Sequence, residues 1–384
     1  MPAKAIGALL TLLFTSTLAF SAEHFVYTAT NSATENAIVI YHQAADGTLQ
    51  FSGTNPTQGR GSGGTVAPLQ SQNSILLDPT GSYLFAVNAG SGTISSFTIA
   101  GANLQFSSQV PSGGVVPVSL TIHGNLLYVL NAGDDSISGF SIGTNGQLSP
   151  IPNSTLISSD YVMTYGANTR VSTIQFDPSG KHLYVSNIAT FLNKLFTGFI
   201  IGASGTPTEF YAPAVDTTNA YLDFLYGFVF TPQGFLVAPG QSTYNALFSD
   251  PQRALLAFSE SVATGYLKLV EPPLLLQKQS QGRYVTSVPS TNYVYISHSE
   301  SESVSGLAVD ATGKASLIGT TKLATSSFPL DIAASSDGQF LYVLDAFLGG
   351  VRVFRIGSNG TLSAAGSITD GLQSQSGEAG LAIK

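Results

Sequence analysis

Hydrophobic and polar positions along this 384-residue chain alternate in short runs that fall into one recurring unit, clearest from Ser74 to Phe106. A hydrophobic run ends at Asp78, a turn follows at Pro79–Gly81, and a second run spans Tyr83–Val87. After a loop at Asn88–Gly92 come two more runs, Thr93–Ile99 and Leu104–Phe106. Runs of this length, bounded by Gly, Pro, Asn and Asp, predict strands, and the unit predicts a four-stranded meander. One such sheet cannot bury both of its faces, so the copies must pack on one another.

Seven copies align on an aromatic residue of the second strand: Tyr27, Phe85, Tyr128, Tyr184, Phe235, Tyr295 and Tyr342, spaced 43 to 60 residues apart. A first turn recurs as Asp78-Pro-Thr-Gly81, Asp177-Pro-Ser-Gly180, Thr231-Pro-Gln-Gly234 and Ser336-Asp-Gly338, with Gly suited to a left-handed position. The predicted fold is all-β, a seven-bladed β-propeller forming a single domain over residues 22–384. The first copy lacks an inner strand, and Gly380–Lys384 repeats the pattern of Ser74–Asp78 and Ser119–His123. The two ends of the chain are therefore expected to build one blade together, which closes the ring and removes exposed sheet edges. The fifth copy is irregular. Pro239–Arg253 lengthens a loop, and Asp216–Tyr226 ahead of it carries Tyr221, Phe224 and Tyr226.

Composition narrows the partners. With 9% charged residues, 14 Lys plus Arg and a net charge of -8, the chain is a poor match for nucleic acid or a basic membrane-binding face. There is no cysteine, hence no disulfide and no thiolate. Lys4 precedes an apolar run from Ile6 to Phe20, and Ala19-Phe20-Ser21 places small residues where a signal peptidase reads. Residues 1–21 are expected to be a signal peptide, giving a secreted protein, extracellular or periplasmic, free of the membrane after cleavage. A closed ring satisfies its own edges, so a monomer is expected.

Alternating strand direction brings the segment leading into each inner strand and the loop after each second strand to one rim of the channel. That rim gathers Arg170, Arg283, Tyr226 and Glu378 from the lead-ins, and Asn88, Asn131, Asn187, His298 and Asp345 from the loops. In the catalytic reading, Arg283 and Arg170 hold a carboxylate or polarise a carbonyl, His298 activates water, and Asp345 orients His298. Asn131, Asn187, Tyr226 and Glu378 would complete the substrate site. The plainer reading is that Asn131, Asn187, His298 and Asp345 occupy one repeat position and bond their own loops. Gly59-Arg-Gly-Ser-Gly-Gly64 lacks the Lys and the helix of a phosphate loop, and no two histidines have zinc spacing, so neither cofactor nor metal is expected.

The motifs Asp78–Asn88 (DPTGSYLFAVN), Asp177–Asn187 (DPSGKHLYVSN) and Ser335–Asp345 (SSDGQFLYVLD) resemble those of the seven-bladed propeller lactonases. That family includes bacterial 6-phosphogluconolactonases and fungal carboxy-muconate lactonizing enzymes. The run from Gly59 to Ser74 is similar to that of secreted, lactonase-like members. The resemblance implies hydrolysis or formation of a small lactone, with a muconate-type diacid as one substrate class. Arg170 and Arg283 match the Arg of the family's Gly-Pro-Arg-His motif, but Val171 and Tyr284 stand where it has His. Asn187 matches its Asn-Glu motif, with Ile188 in place of Glu. The alternative is a non-catalytic exported propeller whose Tyr221, Phe224, Tyr226 and Tyr244 bind a carbohydrate or a protein.

Overall fold

The computed structural model describes residues 24–101, 103–157, 171–188, 195–210, 224–241, 253–260, 263–270, 274–276, 278–280 and 282–384. These form seven antiparallel sheets in chain order, each a blade counted from its channel-side inner strand outward. Blade one consists of Ala379–Ile383, His24–Ala29, Ala37–Gln43 and Leu49–Pro56. The inner strands of blades two, three and four are Ile75–Leu77, Pro117–His123 and Val171–Phe176. That of blade five is split into Phe224–Leu225 and Val229–Phe230, and blades six and seven begin with Gly282–Ser287 and Pro329–Ala334. Neighbouring inner strands touch from blade five round through blade one to blade four, the second strand of blade four, His182–Asn187, touches Phe224–Leu225, and Ala379–Ile383 lies between Pro329–Ala334 and Ile75–Leu77.

The expected closure is present. Val26 pairs with Ile383, Tyr27 with Ala382 and Thr28 with Leu381, and Phe25 and Lys384 exchange both backbone bonds at 3.1 and 2.9 Å. The recurring first turns also form as their sequence demands: the amides of Gly81, Gly180, Gly234 and Gly338 bond the carbonyl three residues earlier, and all four glycines have positive φ.

The aromatic anchors have a second use. Tyr128, Tyr184 and Tyr295 are fully buried, and each donates its hydroxyl to a hairpin-glycine carbonyl of the following blade: Gly205, Gly265 and Gly360. Tyr342 reaches blade one through Gln43, at 2.7 Å, which in turn donates to Gly47. Apolar burial packs the blades, and at these four interfaces a tyrosine hydroxyl sets the register. The fifth anchor is Ala238, not Phe235. Strand two of blade five is Leu236–Gln241, where Ala238 opposes Leu256 just as Tyr184 opposes Gly198. Matching on aromatic character misses it, because the seven-residue step from turn glycine to strand end, Gly81 to Asn88, runs from Gly234 to Gln241.

Candidate active site

The lead-in to blade two decides the shape of the channel. Ala67, Gln70 and Asn73 all hold positive φ, a costly backbone for non-glycine residues, and the surrounding bonds overdetermine it. Ser172 Oγ of blade four donates to Gln70 O at 2.5 Å, Ser119 Oγ of blade three to Gln72 O at 2.6 Å, and Ser71 Oγ to Val118 O at 2.7 Å. Gln72 Nε2 donates to Val285 O in blade six at 2.7 Å. Ala67–Asn73 thus crosses the ring as a plug. The buried Ser119, Ser172 and Thr173 on inner strands are explained by it: they supply its hydrogen-bond partners.

The plug separates two spaces. On the side of the recurring Pro–Gly turns, the channel opens into a chamber of about 480 Å³ lined by Gln72, Leu77, Thr121, Phe176, Phe230 and Ile332, among others. On the rim side a small cavity of about 10 Å³ lies among Gln70, Ser71, Tyr284, Asp331, Leu344 and Glu378. That volume suits one water molecule.

Three ionisable side chains meet in this cavity. Glu378 is fully buried; Ser376 Oγ donates to its Oε2 at 3.1 Å, and its Oε1 has no hydrogen-bond partner among the described residues. Burial pushes its carboxyl up to about 6, outweighing the bonds from its own and the Ser376 amide and hydroxyl. Asp331 is buried in the inner strand of blade seven, and desolvation pushes it up to about 8 despite a bond from the Gly380 amide. Burial likewise raises the Tyr284 hydroxyl, opposed first by neighbouring Arg283, which also hydrogen-bonds it. The Arg283 guanidinium is half-buried, 4.6 Å above the Tyr226 ring and 5.5 Å from the Phe328 ring. Two carboxyls of different proton affinity, a one-water space and a tyrosine hydroxyl bonded by Arg283 form an acid–base constellation.

Of the residues expected from sequence, Glu378 lines this cavity, and Arg283, over the Tyr226 ring, hydrogen-bonds the wall residue Tyr284. His298 does not join them: it is 1% exposed, and its Nε2 lies 2.9 Å from Ser305 Oγ within its own sheet. Asp345 does not orient it. Arg352 Nε bonds Asp345 Oδ2 at 2.7 Å, and the Phe328, Phe347 and Leu348 amides donate to Oδ1. The loop takes Asp345 because its open amides and Arg352 occupy both carboxylate oxygens. Asn131 and Asn187 are buried at the same repeat position, Asn131 bonding Ser136 at 3.2 Å and Asn187 Thr197 at 3.5 Å. Arg170, Tyr221, Tyr244 and the 1–21 leader lie outside the described residues, as does the Phe224 side chain. Asp331 and Tyr284 were missed. The signal was available, since Asp331 is a lone acid inside an otherwise apolar inner strand, PLDIAA.

Residues 18–164 match the family model "Lactonase, 7-bladed beta-propeller". No curated protein matches the chain in sequence. Among solved structures, the periplasmic gluconolactonase PpgL of Pseudomonas aeruginosa is 17% identical, with a TM-score of 0.68, covering 94% of this chain and 98% of that one. A Lactobacillus plantarum protein is 16% identical at TM-score 0.70, covering 94% and 99%. A candidate 6-phosphogluconolactonase of Bacteroides fragilis is 16% identical at 0.68, covering 94% and 98%. At such identities the likeness concerns the fold.

Proposed function

We propose that the chain is a lactonase-type propeller that hydrolyses a small lactone bearing a carboxylate, a reading supported by the family signature in residues 18–164 and by the seven-bladed ring. The observation that carries this reading is the convergence of Glu378, Asp331 and Tyr284 on a one-water cavity beside Arg283. Arg283, stacked on Tyr226, holds the substrate carboxylate, a muconate-type diacid being one such substrate. Glu378, ionised above about pH 6, takes a proton from the cavity water as its oxygen attacks the lactone carbonyl. Asp331, still protonated at neutral pH, donates a hydrogen bond toward the developing oxyanion; ring opening then breaks the C–O bond, and the leaving oxygen takes the proton that Glu378 accepted from water, which regenerates the carboxylate. Substrate approach involves displacement of the exposed Gln70 side chain, which covers the cavity. An exported location is part of the proposal and rests on residues 1–21.

A panel of carboxylated and neutral lactones assayed with the mature protein tests this reading. Turnover is expected for the carboxylated members, with kcat lowered ~10²-fold or more in Glu378→Gln. Arg283→Ala should raise KM selectively for the carboxylated substrates. No turnover of any lactone would favour a non-catalytic propeller that binds carbohydrate or protein at this rim.

A further inference from the structure

A second group of ionisable side chains lies away from the rim, between blades four and five. Asp177 begins the turn after the inner strand of blade four, His182 begins its second strand, and Glu260 ends the third strand of blade five. His182 Nδ1 is 2.9 Å from Glu260 Oε1 and 3.5 Å from Asp177 Oδ2, and the candidate donor atoms of all three residues lie within 4.8 Å of one another. Their side chains are only 3%, 4% and 1% exposed for His182, Glu260 and Asp177.

Two carboxyl groups are thus buried around one imidazole, and His182 is the basic side chain that faces both among the described residues. Tyr184 adds to the imbalance. Its single hydroxyl proton faces two acceptors, Glu260 Oε1 at 2.8 Å and Gly265 O at 2.5 Å. Buried carboxylates need compensating positive charge. Around a metal at about 2.1 Å from each donor, tetrahedral ligands stand roughly 3.4 Å apart, and the two measured separations bracket that value. The group adjoins open space, because Asp177, with Phe176 and Pro178, lines the 480 Å³ chamber.

We propose that Asp177, His182 and Glu260 bind a divalent transition-metal ion, of which Zn²⁺ is the representative, clamping blade four to blade five at the wall of the open chamber. One imidazole and two carboxylates suit Zn²⁺ or Mn²⁺ and leave a coordination position for water. The site lies beyond the plug from Glu378, so it is independent of the lactone chemistry proposed above.

The test uses the mature protein dialysed against chelator and titrated by calorimetry with ZnCl₂ and, separately, MnCl₂. Uptake of one equivalent and a raised Tm are expected for at least one ion. Glu260→Gln and His182→Gln, with near-UV circular dichroism as the check on folding, should each weaken binding at least tenfold. Asp177→Asn provides a third variant in which the amide oxygen can still accept the His182 N–H that caps the turn at 2.9 Å. Co²⁺ added to the unaltered protein should give the visible band of a four-coordinate site, a readout that needs no variant. The proposal is overturned if the unaltered protein takes up neither ion and gives no such band, or if folded variants bind as it does.

Discussion

Gln72 spans the channel and treats Val285 as a strand partner: its Nε2 donates to Val285 O at 2.7 Å while its Oε1 accepts from Val285 N at 3.3 Å. A side-chain amide from blade two's lead-in thereby satisfies both backbone groups of a buried residue in blade six. Gly227, also packed there, leaves room only for hydrogen, since a Cβ would sit 2.2 Å from Gln72 Oε1.

Gln72→Ala should cost about 2–4 kcal/mol, because two buried backbone groups of Val285 lose their partner. Chemical denaturation measures this. A loss below about 0.5 kcal/mol would mean that the plug contributes nothing to stability.

The inter-blade tyrosines give a contrast within one protein. Tyr342→Phe removes a buried bond to Gln43 and should cost about 1–2 kcal/mol, with Tyr295→Phe similar. Tyr27 is equally buried, but its hydroxyl has no partner among the described residues, so Tyr27→Phe should be neutral or stabilising. Thermal unfolding of the three variants side by side checks the ordering.

Acidity should bear on stability in an unusual direction. Asp331 and Glu378 have carboxyls pushed up to about 8 and about 6 in the folded state. Between the unfolded values near pH 4 and these folded values, the native state binds the extra proton. Each contribution is therefore complete below about pH 4 and fades as pH rises, to about 6 for Glu378 and about 8 for Asp331. Each group contributes a slope of up to about 1.4 kcal/mol per pH unit, and Asp331→Asn should flatten the decline between pH 6 and 8. Unfolding free energies measured across pH for both proteins are the check, and parallel profiles would contradict the assignment.

Removing residues 379–384 deletes the inner strand of blade one and leaves Val26–Ala29 as an unpaired edge at the channel. Loss of soluble monomer by size-exclusion chromatography is expected. An unchanged melting temperature would show that closure is dispensable.

His298→Asn places at this position the residue that the equivalent loops of blades two, three and four carry as Asn88, Asn131 and Asn187. Lactone turnover should be retained and stability altered by about 1 kcal/mol or less. Loss of activity with an intact fold would return His298 to the mechanism.

The sequence by itself determined what depends on local spacing. Strand, turn and repeat follow from neighbours a few residues apart, so the blades, the left-handed turn glycines and even the closing strand at Ala379–Ile383 were legible from pattern. The candidate site was legible only in part. Glu378, Arg283 and Tyr226 could be assigned to the rim because strand direction fixes which end a loop occupies. Which rim residues meet is decided by burial and by competition among partners hundreds of positions apart: Asp345 is taken by Arg352 and its own loop, and Gln72 seals the channel against Val285. Asp331 acquires its character in the same way, because only the assembled ring withholds water from it.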